Sequence, residues 1–172
     1  MISIELTKQD IELAKSEAER FNSFKTWNKY KCCNSWMGFV AERKFNGWLL
    51  DNELNFTWFA EKDGYANNPD FLISGLSVDI KTTTKFVMFV DTKIKFDLYV
   101  FSRINEQDLK YLYLVGFVTR KDVVKLINAG KCRLISYADG NKYYEILIEY
   151  MKPIEGFAAF IEQKKGDENG KM

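Results

Sequence analysis

Asp70, Asp79 and Lys81 are the residues whose types and spacing could together do chemistry. Two short β-prone runs, Phe71–Ile73 and Leu76–Ile80, flank Ser74-Gly75, a two-residue linker typical of a tight hairpin. Asp70 directly precedes the first run and Asp79 lies in the second. Pairing outward from that turn predicts Asp70 opposite Asp79, and Lys81 on the same face because side chains alternate along a strand. The apolar residues then share the other face: Phe71, Ile73, Leu76, Val78 and Ile80.

This arrangement favours a bound divalent cation. Like charges directly opposite destabilise a sheet, so a cation between the two carboxylates would relieve their repulsion. Hard oxygen donors suit Mg²⁺, for which Mn²⁺ can substitute, and these ions bind carboxylates, waters and phosphate oxygens. The lysine could hold a metal-activated water or steady the charge on a phosphate under attack. The set predicts phosphodiester hydrolysis, and the plainer alternative is a surface hairpin with solvated charges.

The residues Pro69, Asp70, Asp79, Ile80 and Lys81 resemble the active-site hairpin of the PD-(D/E)xK nuclease superfamily. The resemblance implies an α/β (α+β) fold with a restriction-endonuclease-like core, a mixed central β-sheet flanked by helices. It also implies a Mg²⁺-dependent DNA endonuclease. In that reading Asp70, Asp79 and the Ile80 carbonyl bind the metal, and Lys81 positions the attacking water.

A candidate glutamate lies upstream of the hairpin. Gly38-Phe39-Val40-Ala41-Glu42 looks like the helix that precedes the hairpin in the superfamily, whose glutamate turns toward the metal. The resemblance therefore adds Glu42 as a catalytic residue and further metal ligand. Glu61 and Asp63 are also carboxylates near the hairpin in sequence, and we interpret both as loop charges, with a ligand role left open.

Candidate nucleic-acid contacts follow the hairpin. Basic and aromatic residues alternate from Lys85 to Phe96, as expected of a surface that contacts phosphates and bases. The predicted DNA-binding residues are Thr82, Thr83, Lys85, Lys93 and Lys95. Between Arg20 and Lys44 a second basic stretch contains Trp27, Tyr30 and Trp36, and a solvated face over core aromatics explains it equally well. Asp97 is expected to orient local structure and not to bind metal.

The elements that must position these residues follow from hydrophobic periodicity and capping signals. Predicted helices are Thr7–Phe21 with its cap, Asn34–Leu50, Arg120–Asn128 and Phe157–Lys164; predicted strands outside the hairpin are Phe56–Ala60, Lys95–Phe101, Tyr111–Val118 and Tyr143–Ile148. We expect residues 1–165 to form a single nuclease-like domain and residues 166–172 a flexible C-terminal tail.

Composition excludes several function classes. The 172 residues contain no histidine, which excludes Ser-His-Asp and Cys-His catalysis and histidine-based zinc sites. The 25 basic and 24 acidic residues give a formal charge of +1, so binding to nucleic acid depends on local patches. Cys32, Cys33 and Cys132 form no disulfide framework, and no signal peptide or long apolar run occurs, so we expect a cytoplasmic protein.

The sequence therefore predicts a Mg²⁺-dependent DNA endonuclease. The alternatives are a catalytically silent nucleic-acid-binding or regulatory protein on the same fold, and an assembly protein whose acidic pair binds a stabilising cation. DNA is the expected partner and no membrane is expected. Self-association into a homodimer and the form of the substrate are left open.

Overall fold

The computed structural model describes residues 1–23, 35–59, 68–105, 107–137 and 140–169. Its α-helices are α1 (Lys8–Ser23), α2 (Ser35–Asp51), α3 (Arg120–Asn128) and α4 (Phe157–Asn169). Its strands are β1 (Ile2–Glu5), β2 (Phe56–Trp58), β3 (Phe71–Ile73), β4 (Leu76–Thr83), β5 (Val87–Asp91), β6 (Leu98–Ile104), β7 (Tyr111–Thr119), β8 (Arg133–Ser136), β9 (Lys142–Leu147) and β10 (Lys152–Pro153). Short 3₁₀ turns span Ile148–Tyr150 and Ile154–Gly156.

The main sheet has seven strands in the order β1-β7-β6-β4-β3-β2, with β10 also paired to β7. Strands β4 and β6 run parallel, and the other pairs are antiparallel. The predicted mixed central sheet is therefore confirmed. A second sheet, β5-β9-β8, was not predicted. It forms because β5, inside the connection from β4 to β6, leaves the main sheet and pairs with β9.

Each face of the main sheet carries its own hydrophobic core, because side chains alternate along the strands. On β6, Leu98 and Val100 belong to the first core, whereas Tyr99 and Phe101 belong to the second. The first core packs the sheet against α1, α2 and α4, through side chains such as Ala14, Phe45 and Phe157. The second core packs the sheet against β5, β9 and α3, through Met88, Ile146 and Val123. Helices therefore flank the central sheet, as predicted.

Two helices begin with reciprocal caps. At α1 the Thr7 hydroxyl accepts a hydrogen bond from the Asp10 N–H at 3.1 Å, and the Asp10 carboxylate accepts one from the Thr7 N–H at 2.8 Å, which confirms the predicted cap. Thr119 and Asp122 cap α3 in the same way. Burial alone would raise the pKa of Asp10, but hydrogen bonds from Lys44 and Thr7 outweigh it and lower that pKa.

Most predicted elements are present with shifted ends. Helix α4 continues to Asn169, past the predicted end at Lys164, so the predicted helix boundary is wrong. The sequence does not indicate this extension because the turn around Gly166 is polar. The helix continues through that turn from the apolar turn at its start.

The single domain over 1–165 and the flexibility of 166–172 stay predictions. In the part of the chain that the structure describes, no helix is long and apolar enough to cross a membrane.

Candidate active site

The hairpin of β3 and β4 has the predicted register. Phe71 pairs with Val78 and Ile73 with Leu76. Ser74 and Gly75 close it with φ angles of 50° and 83°, as in a type I′ turn, whose two central residues both need positive φ. The apolar face of the hairpin is buried in the first core, where Phe45 of α2 contacts Phe71 edge to face.

Asp70 lies directly before β3 and is fixed to β4 by hydrogen bonds of its backbone and its side chain. Its N–H donates to the Val78 carbonyl at 3.0 Å, and its Oδ2 accepts from the Ile80 N–H at 2.7 Å. The side chain therefore acts as a backbone acceptor for β4 at the open end of the hairpin. Asp70 is only 4% exposed. These bonds hold its carboxylate against the backbone of β4 at Ile80, the residue that follows Asp79.

Asp79 and Lys81 form an ion pair on β4. Lys81 Nζ lies 2.8 Å from Asp79 Oδ2, and Asp79 is 7% exposed. Burial alone would lower the pKa of Lys81, but the charge and hydrogen bond of Asp79 and the charges of Asp91 and Asp70 outweigh it and raise that pKa. Lys81 is therefore an ammonium group that interacts with Asp70 and Asp79 together. Asp79 and Lys81 meet on one face of β4, and Asp70 is near enough for its charge to act on Lys81. A metal-binding role for the three stays a prediction.

Asp91 is the residue of this site that the sequence did not indicate. Its Oδ2 lies 3.5 Å from Lys81 Nζ, and its side chain is half-exposed at the end of β5. Asp91 follows an apolar run, Val87 to Val90, and a charged residue commonly ends such a strand. Asp91 reaches Lys81 only because β5 belongs to the second sheet. No local sequence signal indicates that β5 leaves the main sheet.

Glu42 is half-buried on α2, directly after Val40 and Ala41 in the first core. Asp79 and Lys81 alternate with Val78 and Ile80, which face that core, so they belong to the other face of β4. Among the described residues, no group of three or more histidine, cysteine, aspartate or glutamate side chains is arranged to hold a metal ion. Glu42 as a further ligand stays a prediction, and Glu61 and Asp63 lie outside the described residues.

The two buried aspartates still fit a magnesium ion by their chemistry. Mg²⁺ usually binds one or two carboxylates and completes its octahedron with waters and substrate phosphate oxygens, so a third protein carboxylate is not required. Asp79 Oδ2 contacts the Lys81 ammonium, and Asp70 Oδ2 accepts from the Ile80 N–H. A bound cation would share the two carboxylates with the Lys81 ammonium group and the Ile80 N–H.

The predicted DNA contacts Thr82 and Thr83 lie on different faces of β4. Thr82 shares the face of Ile80, and its hydroxyl pairs with that of buried Ser102 at 2.8 Å. The structure therefore does not bring Thr82 together with Lys81, because neighbouring residues of a strand point in opposite directions. Thr83 shares the face of Lys81, and its hydroxyl accepts from the Lys85 N–H at 3.0 Å.

The predicted contacts Lys85, Lys93 and Lys95 are exposed on the connections at either end of β5. Lys85 Nζ lies 5.9 Å from the centre of the Phe89 ring. Their contact with DNA stays a prediction. Of the second basic stretch, residues 24–34 lie outside the described residues.

Asp97 has the structural role expected of it. Its Oδ2 accepts from the N–H and hydroxyl of Ser77 at 2.9 and 2.6 Å, and its own N–H donates to the Ser77 carbonyl at 3.0 Å. These bonds fix the start of β6 against the start of β4. The parallel pair that carries Asp79 and Lys81 is thereby held in register.

Comparisons with known proteins give a likeness of fold to solved structures. No protein-family model and no curated protein matches the chain. Among solved structures, a nuclease from a fusselovirus is similar, with 12% sequence identity and a TM-score of 0.41, over 69% of this chain and 83% of that one. A likeness at this identity and TM-score does not assign a function.

Proposed function

We propose that the protein is a Mg²⁺-dependent DNA endonuclease of the PD-(D/E)xK type. The observation that carries this proposal is the convergence of two buried aspartates and one ammonium group at the end of a hairpin, with Lys81 Nζ 2.8 Å from Asp79 and Asp70 anchored alongside. Buried carboxylates are costly unless they are paired or bind a cation, and such sites are often functional.

Asp70 and Asp79 are the residues that would hold the metal, with the Ile80 carbonyl as a further ligand. When bound there, Mg²⁺ would supply Lewis-acid stabilisation of a phosphate and lower the pKa of a coordinated water. The chain itself orients the Asp70 and Asp79 carboxylates. The Ile80 N–H fixes the Asp70 carboxylate, and the register of β4 against β6 fixes Asp79.

Lys81 would act as a donor and not as a general base. Its raised pKa keeps it an ammonium group, which has three N–H donors and no lone pair to accept a proton. It would donate to the attacking water or to a non-bridging phosphate oxygen, and so stabilise the charge that develops there. Asp91, 3.5 Å away on the facing strand, would restrict where this ammonium group can lie.

The proposal is tested by incubating purified protein with linear, supercoiled, single-stranded and branched DNA, in Mg²⁺, in Mn²⁺ and in EDTA. The expected result is cleavage of at least one form in either metal and none in EDTA. Intact DNA in every arm, with protein shown to be folded by circular dichroism, would contradict the proposal.

A catalytically silent DNA-binding protein is the second candidate. It is favoured by the Asp79–Lys81 ion pair, which partly neutralises the site without metal. One experiment distinguishes the two functions. A gel shift of DNA without nicking in Mg²⁺ or Mn²⁺ would favour the silent protein, whereas metal-dependent nicking favours the nuclease.

A further inference from the structure

Phe86 and Arg103 form an exposed stack beside the candidate active site. Phe86 is 60% exposed, and the guanidinium carbon of Arg103 lies 3.9 Å from the centre of its ring. Arg103 Nε also donates to the Thr84 carbonyl at 3.2 Å, which fixes the guanidinium plane. One face of the aromatic ring is therefore backed by a positioned cation, while most of the side chain remains open to solvent.

The stack lies on the face of the main sheet that carries Lys81. In the parallel pair of β4 and β6, Lys81 is in register with Phe101 and Thr83 with Arg103. Phe101 packs in the second core and Ile104 in the first, so alternation places Arg103 on the Lys81 side. Two residues of strand separate Lys81 from the Thr83–Arg103 pair, a distance of about 7 Å.

The charges around the stack suit a polyanion. Within the part of the chain that the structure describes, neither Arg103 nor Lys85 has a carboxylate at ion-pair distance. Lys85 adjoins Phe86 in sequence and is exposed. The surface therefore combines an open aromatic ring with two cations that are available to phosphates.

We propose that Phe86, backed by Arg103, is a stacking platform for an unpaired base of single-stranded DNA. Bases in a duplex already stack on their neighbours, so an exposed protein ring gains contact only with an unpaired base. This inference rests on the proposed nuclease function and names its substrate class: DNA with a single-stranded segment next to the bond that is cut. Arg103 and Lys85 contact the flanking phosphates.

The test measures binding in EDTA, where no cleavage is needed. Fluorescence anisotropy gives the affinity of the protein for 5′-fluorescein dT20 and for a 20-base-pair duplex. The variants are Phe86→Ala, Phe86→Leu and Phe86→Trp, with Leu134→Ala as a matched control, because Leu134 is an exposed apolar residue on β8 of the second sheet. A thermal melt confirms that each variant is folded, and the Leu and Trp forms both retain a bulky apolar side chain.

The expected result is tighter binding of dT20 than of the duplex by the natural sequence. Phe86→Ala and Phe86→Leu weaken dT20 binding by about 5- to 150-fold, the range for loss of one stacked base, whereas Phe86→Trp and Leu134→Ala do not. Equal affinity of Phe86→Leu and the natural sequence for dT20, or an equal loss for duplex and single strand, would overturn the inference. Failure of the nuclease proposal is seen separately, as missing metal-dependent cleavage with dT20 binding intact.

Discussion

Lys81 on the main sheet and Asp91 on the second sheet are joined by an ion pair, with 3.5 Å between Nζ and Oδ2. Lys81 also contacts Asp79 of its own strand at 2.8 Å. The ammonium group therefore lies between carboxylates from two sheets, and the packing of β5 over β4 determines its position. The second sheet is part of the candidate site and not only a cover for the second core.

Replacement of Asp91 tests this relationship. Asp91→Asn removes a half-exposed partner of Lys81, and partly exposed ion pairs contribute about 0.2–1 kcal/mol. We expect kcat for DNA cleavage to fall by about two- to fivefold, with KM and melting temperature nearly unchanged. Glu162→Gln, which removes an exposed charge on α4, is the matched control and should leave kcat unaltered. Identical kcat values for both variants would contradict a role for Asp91 in positioning Lys81.

Asp70 has a structural role that can be separated from its charge. Asp70→Asn keeps a side-chain oxygen to accept from the Ile80 N–H, whereas Asp70→Leu leaves that buried donor unsatisfied. We expect the leucine variant to lose about 1–3 kcal/mol of unfolding free energy and the asparagine variant much less. Both should lose metal-dependent cleavage. Urea denaturation checks the difference, and equal stability of the two variants would show that the hydrogen bond contributes nothing.

Phe45 links the helix α2 to the hairpin. It is fully buried and makes edge-to-face contacts with Phe71 and Phe157, with ring centres 5.2 and 5.8 Å apart. Phe45→Ala should lower the unfolding free energy by about 3–5 kcal/mol, because it opens a cavity between the helix layer and the main sheet. Leu50→Ala, at an exposed position of the same helix, is the control and should change it by less than about 0.5 kcal/mol.

Gly116 on β7 is predicted to be intolerant of any side chain. A Cβ there would lie 2.6 Å from the Lys152 carbonyl oxygen, a backbone atom of the paired strand β10. Gly116→Ala should therefore destabilise the fold by about 1–3 kcal/mol. Gly47→Ala in α2 meets no atom of the described residues within 4 Å and should stabilise by up to about 1 kcal/mol through helix propensity. Thermal melts of the pair should shift in opposite directions.

The sequence was sufficient for the hairpin because its determinants are local. The Ser74-Gly75 turn fixes the register, and alternation then places Asp79 and Lys81 together. The second sheet was missed because β5 pairs with β9, from Val87 with Leu147 to Asp91 with Tyr143, and no nearby residue signals so distant a partner. The role of Asp91 was not predicted for the same reason, because its position over Lys81 depends on this long-range pairing. Thr82 lies on the face of β4 opposite Lys81, because neighbouring residues of a strand point in opposite directions, and its contact with DNA stays a prediction.

The most direct test of the proposed site is conversion of supercoiled plasmid to nicked and linear forms in Mg²⁺ by the natural sequence, Asp79→Asn and Lys81→Met. Both substitutions keep the approximate side-chain volume while removing a carboxylate charge or the ammonium group. We expect nicking by the natural sequence that EDTA abolishes, and none by either variant, with both variants folded. Nicking by folded Asp79→Asn at the rate of the natural sequence would contradict the assignment of this site.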